Sequence, residues 1–206
     1  MFPLSWTQAL FAGEPLDASL TRLARLGCYG VELPVLAMPP AEVRARLDRH
    51  RLACFSVNGS FSGPDRDLSS SDESLRSAAV GYVVGCLHFA AAVGARIAIV
   101  PTRIGKLRPD ISIAEEWDNA VRSLSEIGAV GADLGVTAVI ECVNRAESYL
   151  ANRLATACRL VEAAASERVG VMADSFHMNI EETDMVAALE GAASWLRHVH
   201  LSRQQP

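Results

Sequence analysis

The sequence predicts an α/β protein whose parallel strands curl into a barrel of alternating strands and helices. Three observations predict it. Short apolar runs alternate with helical patterns along the chain. Parallel neighbours need a crossover between them, and the intervening helices provide one. Polar residues cluster just after the fifth, sixth and seventh strands, the end at which a barrel carries its chemistry.

The elements follow in order. Residues 4–7 form a weak first strand, and 16–26 a helix with Leu20, Leu23 and Leu26 at helical spacing. Residues 30–33 and 53–57 are strands, separated by a helix over 40–50. A polar loop covers 58–71. Asp72 then offers an N-cap to a long helix reaching about residue 93. Residues 96–100, 137–143, 169–173 and 197–201 are strands. The helices between them are expected at 113–134, 154–165 and 185–193. No G-x-G-x-x-G follows an early strand and no G-x-x-x-x-G-K-[ST] occurs. Nucleotide-binding open sheets lose support, and the barrel is preferred. A complete eight-unit barrel takes about 250 residues. This reading ends at the seventh strand, so an incomplete barrel lacking an eighth strand–helix unit is expected.

The chain has 206 residues, half of them apolar, enough for one domain over residues 1–206 with a sizeable core. No Gly/Ser-rich or Pro-rich linker divides it. The formal charge of -5 argues against a nucleic-acid partner, which would favour a basic stripe. The five cysteines (28, 54, 86, 142 and 158) form no C-x-x-C pair. They read as buried, reduced thiols of a cytoplasmic protein. No Lys or Arg precedes Arg22, so the start does not read as a secretory signal. Residues 78–95 carry no formal charge but are rich in Ala and Gly, with His88 near the middle. They read as a core helix rather than a membrane span.

Three consecutive strands deliver chemistry-bearing residues to one rim: Glu141 on the fifth, Asp174 on the sixth, His200 on the seventh. Taken singly, each has a plainer reading. Glu141 could pair with Arg145, Asp174 could cap the next segment, and a strand histidine is often a hydrogen-bonded core residue. Alternation puts His198 and His200 on one side of their strand. His177 follows Asp174 by three residues in what reads as a loop. Together, carboxylates plus imidazole suit Mn²⁺, Mg²⁺ or Co²⁺ better than a thiolate-rich zinc site. Cys142 should point away from Glu141, into the core.

The run Ile-Glu-Cys-Val-Asn-Arg-Ala-Glu at 140–147 resembles the I-E-x-x-N-R-x-E stretch of the ketose 3-epimerases. Asp-Ser-Phe-His-Met-Asn-Ile-Glu-Glu at 174–182 is similar to that family's D-x-F-H-M-N-I-E-E stretch. Gly30-Val31-Glu32-Leu33, and Asp67-Leu68 with Asp72 and Arg76, resemble earlier segments. The resemblance covers the chain up to His200. It points to the tagatose/psicose branch of the xylose-isomerase-like TIM barrels. It implies metal binding by Glu141, Asp174 and His200, with Glu141 also the catalytic acid/base. It implies that Glu147 and His177 bind the carbonyl-end oxygens of a keto-sugar, and that Glu32 lies near the substrate.

The resemblance also implies a fourth ligand and second acid/base, a Glu on an eighth strand, and an Arg where this chain has Pro206; Arg203 is out of register. The expectation is therefore a sugar epimerase impaired in its 206-residue form, with open strand edges that a partner chain, in a homo-oligomer, would cover. Three rivals remain. An AP-endonuclease-like enzyme would need histidines in 57–63 and 101–105, where there are none. Another activity of the superfamily, such as hydroxypyruvate isomerase or inosose dehydratase, would share the ligands. A non-catalytic metal-binding remnant would lack turnover.

Overall fold

Short runs of apolar and β-branched residues form seven strands: β1 (Ser5–Thr7), β2 (Gly30–Pro34), β3 (Ala53–Asn58), β4 (Ile97–Val100), β5 (Thr137–Glu141), β6 (Val169–Asp174) and β7 (Leu196–His200). The structure, a computed structural model, describes residues 5–7, 11, 13–61, 63–100 and 111–202. The helices are α1 (Leu16–Arg25), α2 (Pro40–His50), α3 (Glu73–Val93), α4 (Ile113–Leu134), α5 (Leu154–Ala164), α6 (Ser175–Glu181) and α7 (Met185–Ala192). A 3₁₀ turn over Pro64–Arg66 precedes α3. All strand pairs are parallel and the spatial order is the chain order, β1 to β7.

The sheet is strongly curled. β2 and β7 are five places apart in that order, about 24 Å in a flat sheet at roughly 4.8 Å per strand. Yet Glu32 of β2 lies 3.2 Å from His198 and 2.9 Å from His200 of β7. Only a sheet rolled into a barrel wall brings them across its interior. β6 is buried along its whole length, as expected where one face meets helices and the other the barrel interior. The main core lies on the helix side and includes Leu33, Leu87, Leu124, Ile140 and Leu160. A separate small cluster of Ile99, Val139 and Met172 fills the inside. By alternation, Glu141 shares the inner face with Val139, and Asp174 with Met172. Apolar layers thus floor the site.

Two register shifts aim the polar side chains. Between Val31 and Glu32 the pairing skips Phe55, so Glu32 faces Ser56. Between Val171 and Met172 it skips Arg197, so His198 faces Met172 and His200 faces Asp174. An extra residue in one strand resets which face the following side chains occupy.

The expected elements form, with shifts at their ends. β5 stops at Glu141 rather than 143, and β6 reaches Asp174. α6 corrects the loop expected after β6. Seven residues are too few to display a helical period, and only the Asp174 cap betrays the helix. Asp72 caps α3 as expected, accepting from the Ser74 and Leu75 N–H groups. α3 is long and apolar enough to cross a membrane by length and composition. Here it buries Ala79, Val83, Leu87, Ala90 and Val93 in the core. The cysteines are free; Cys54, Cys86 and Cys142 are buried, but Cys28 and Cys158 are partly exposed. Leu4, residues 101–105, Arg203 and Pro206 lie outside the described residues.

Candidate metal and catalytic centre

Glu141, Asp174 and His200 are the last residues of β5, β6 and β7, and Glu32 is midway along β2. Register places His200 opposite Asp174, with His200 Nδ1 3.6 Å from Asp174 Oδ2. Ligand atoms of Glu141, Asp174 and His177 all lie within 4.8 Å of one another, and those of Glu32, His198 and His200 do the same. The His200–Asp174 contact joins the two groups. Glu147 stands exposed at the rim, its Oε1 accepting from Asn144 Nδ2 at 2.7 Å.

The 174–182 run ties this rim together. Asp174 Oδ1 accepts from the Phe176 N–H at 2.7 Å, capping α6, while Oδ2 faces His200. The cap and a ligand position are thus compatible in one carboxylate. α6 carries His177 into the site on its first turn, with Nε2 3.7 Å from Glu141 Oε1. Glu181 accepts from Arg145 three times, from its backbone N–H at 2.7 Å, Nε at 2.9 Å and Nη2 at 2.8 Å. Glu182 Oε1 accepts from the Leu154 N–H at 2.8 Å, at the start of α5. Arg145 therefore does not serve Glu141. It lies past the strand end, where its side chain turns outward to α6.

Sequence reasoning gave Asn144 and Ser56 no role. Asn144 was visible in the 140–147 motif, and it proves to orient His177. Ser56 carried no signal, because only the strand register sets it beside Glu32. Both His198 and His200 reach one atom, Glu32 Oε2, with their rings edge to face at 5.1 Å between centroids.

Charge is crowded here. Burial pushes the Glu141 carboxyl up to about 7, reinforced by Asp174, Glu32 and Glu147 and opposed by His200. Burial works against a charged His200, but Asp174 and Glu32 hold its ring protonated up to about 10. Burial also disfavours the Glu32 carboxylate, yet hydrogen bonds from His198, His200 and Ser56 keep it well below the usual range. Asp174 is likewise lowered, the His200 bond and the Phe176 N–H outweighing burial.

Hydrogen-bond direction sorts the two histidines. The Asn144 backbone N–H can only donate, and it meets His177 Nδ1 at 3.2 Å. Nδ1 therefore accepts, and Nε2 of the neutral ring carries the proton, aimed into the site. His200 also carries its proton on Nε2 but turns the other nitrogen toward the site. Its Nε2–H donates a hydrogen bond to Glu32 Oε2 at 2.9 Å, which leaves Nδ1, on the Asp174 side, as the nitrogen free to face a cation. Two inward carboxylates, one such imidazole and a deficit of positive charge fit a hard divalent cation. Cys142 is turned into the main core, away from the donors.

Residues 20–205 match the model of the xylose isomerase-like TIM barrel family. The chain belongs to that family. Its sequence is 29% identical over 138 residues to the L-ribulose 3-epimerase of Mesorhizobium japonicum, covering 66% of this chain and 46% of that protein. It is 40% identical over 85 residues to the D-psicose 3-epimerase of Enterocloster bolteae, covering 41% and 28%. These matches span less than half the length of either relative. The apo structure of an Escherichia coli 3-keto-D-glucoside 4-epimerase superposes with a TM-score of 0.89 at 24% identity, over 98% of this chain and 80% of that one. That likeness is one of fold. The family and the 3-epimerase names of these relatives agree with the motif resemblance in the sequence.

Proposed function

We propose that this chain carries the metal site of a keto-sugar 3-epimerase. The observation that carries the reading is the grouping of Glu141, Asp174 and His177 ligand atoms within 4.8 Å of one another, with His200 Nδ1 3.6 Å from Asp174 Oδ2 at the same rim. Glu141, Asp174 and His200 would hold the divalent cation. A bound Mn²⁺, Mg²⁺ or Co²⁺ would polarise a sugar carbonyl and so acidify the neighbouring C–H. His177 would donate its Nε2 proton to an oxygen at the carbonyl end. Glu147, exposed and oriented by Asn144, would accept from a sugar hydroxyl. Glu141 would take the C3 proton and return it, acting as the acid/base on one face of the sugar. Inverting a carbon needs a second acid/base on the opposite face. The motif resemblance assigns that group to an eighth strand, outside the described residues.

In D₂O with Mn²⁺, the chain is expected to exchange the C3 proton of a keto-sugar such as D-fructose for deuterium. Glu141→Gln should cut exchange by about 10²–10⁴-fold, the usual contribution of a positioned acid/base. NMR of the C3 proton reads both outcomes. Exchange that survives Glu141→Gln, or that needs no divalent cation, would refute the reading.

A further inference from the structure

Glu32 sits oddly for a residue beside a substrate. It is only 3% exposed, and one of its oxygens is fully engaged. Oε2 accepts from Ser56 Oγ at 2.7 Å, His200 Nε2 at 2.9 Å and His198 Nε2 at 3.2 Å. The donors come from β3 and β7, on either side of the barrel interior. The skipped residue Phe55 sets Ser56 beside Glu32, and the skipped Arg197 sets both histidines toward it. Three donors, set by two register shifts, thus converge on one carboxylate oxygen.

The consequence falls on His200. An imidazole whose Nε2–H is held in a hydrogen bond can offer only Nδ1 to a cation, and only in the orientation that bond allows. His200 Nδ1 faces Asp174 Oδ2 at 3.6 Å, toward the Glu141 side of the rim. We infer that Glu32 is a positioning residue of the metal centre: it fixes the tautomer and ring plane of His200 so that Nδ1 faces the cation, and Ser56 fixes Glu32 in turn. This rests on the metal-site reading above and goes beyond it by giving Glu32 a role that does not touch the sugar. A cation held instead by Glu32, His198 and His200, whose ligand atoms lie within 4.8 Å of one another, is the rival arrangement, and the titration below separates the two.

The test is Mn²⁺ titration of the 206-residue chain, following free Mn²⁺ by electron paramagnetic resonance. It is paired with ¹⁵N NMR of the histidine rings in the Mg²⁺-loaded protein. Wild type should bind one Mn²⁺ and show His200 with a proton on Nε2. Glu32→Ala should weaken Mn²⁺ binding by about 10–100-fold, the usual cost of losing a group that orients a metal-bound histidine, and should scramble the His200 tautomer. Glu32→Gln keeps an acceptor, so it should keep the tautomer and recover part of the affinity. Ser56→Ala leaves the carboxylate and should weaken binding by only a few fold. Glu32→Gln and Ser56→Ala carry the test if Glu32→Ala does not fold. Unchanged Mn²⁺ affinity across folded variants, with only sugar KM altered, would overturn the inference. So would two Mn²⁺ per chain. Wild type that binds no cation would instead sink the metal-site reading itself, and this inference with it.

Discussion

Glu141 and His200 hold their protons for different reasons, and both reasons make pH a probe of the site. Burial raises Glu141 to about 7 from an ordinary 4.5, and carboxylate neighbours raise His200 to about 10 from 6.5. In each case the native state binds more protons than the unfolded chain between the two values. Stability must therefore fall as pH rises, over about 4.5–7 for Glu141 and 6.5–10 for His200. Glu32 is shifted the other way, so its contribution is lost as pH falls below the usual carboxylate range. Urea midpoints of the metal-free chain should decline from mildly acidic to alkaline pH. Saturating Mn²⁺ should flatten that decline, and binding should release protons detectable by calorimetry in buffers of different ionisation enthalpy. Glu141→Gln removes the buried ionisation. It should raise metal-free stability at pH 8 by about 1–3 kcal/mol, the upper figure following from 1.36 kcal/mol per pKa unit.

At the scale of elements, α6 decides how the rim is assembled. It is short, but Asp174 caps it, His177 projects from it, and Glu181 anchors Arg145 in the loop after β5. Glu181 is buried while Arg145 is largely exposed, so much of the value of the clamp lies in satisfying the buried partner. Arg145→Ala, which strands buried Glu181, should cost about 1–3 kcal/mol, the range for an unsatisfied buried polar group. It should also raise sugar KM by loosening Asn144, His177 and Glu147, and leave Mn²⁺ affinity within about twofold, since Glu141, Asp174 and His200 stand on strands. Thermal melts and separate sugar and metal titrations distinguish these effects. The strands and long helices were legible in sequence because apolar periodicity is local. The helical state of 175–181 was not, since about two turns carry too little pattern. The pairing of Arg145 with Glu181 instead of Glu141 was hidden for the same reason.

At the scale of the molecule, the curl of the sheet builds the centre by joining β2 to β7. Among the described residues, large apolar side chains on or next to its outermost strands are exposed. Val199 is 44% and Leu201 82% exposed beside β7, and Trp6 is 47% exposed on β1. Such strand edges invite pairing, and the 206-residue chain is expected to self-associate. Sedimentation at micromolar concentration should give a mass above the 22.1 kDa of one chain, and Leu201→Lys should lower it.

The sequence by itself determined the alternation of strand and helix and the placing of Glu141, Asp174 and His200 at successive strand ends. These depend on local periodicity and on where each apolar run stops. The tertiary structure alone decided which nitrogen of each histidine faces inward, and that Glu32 and Ser56 belong with His198 and His200. Those relations hang on strand register and sheet curvature. Both are set by packing between residues far apart in the chain, and no local pattern encodes them.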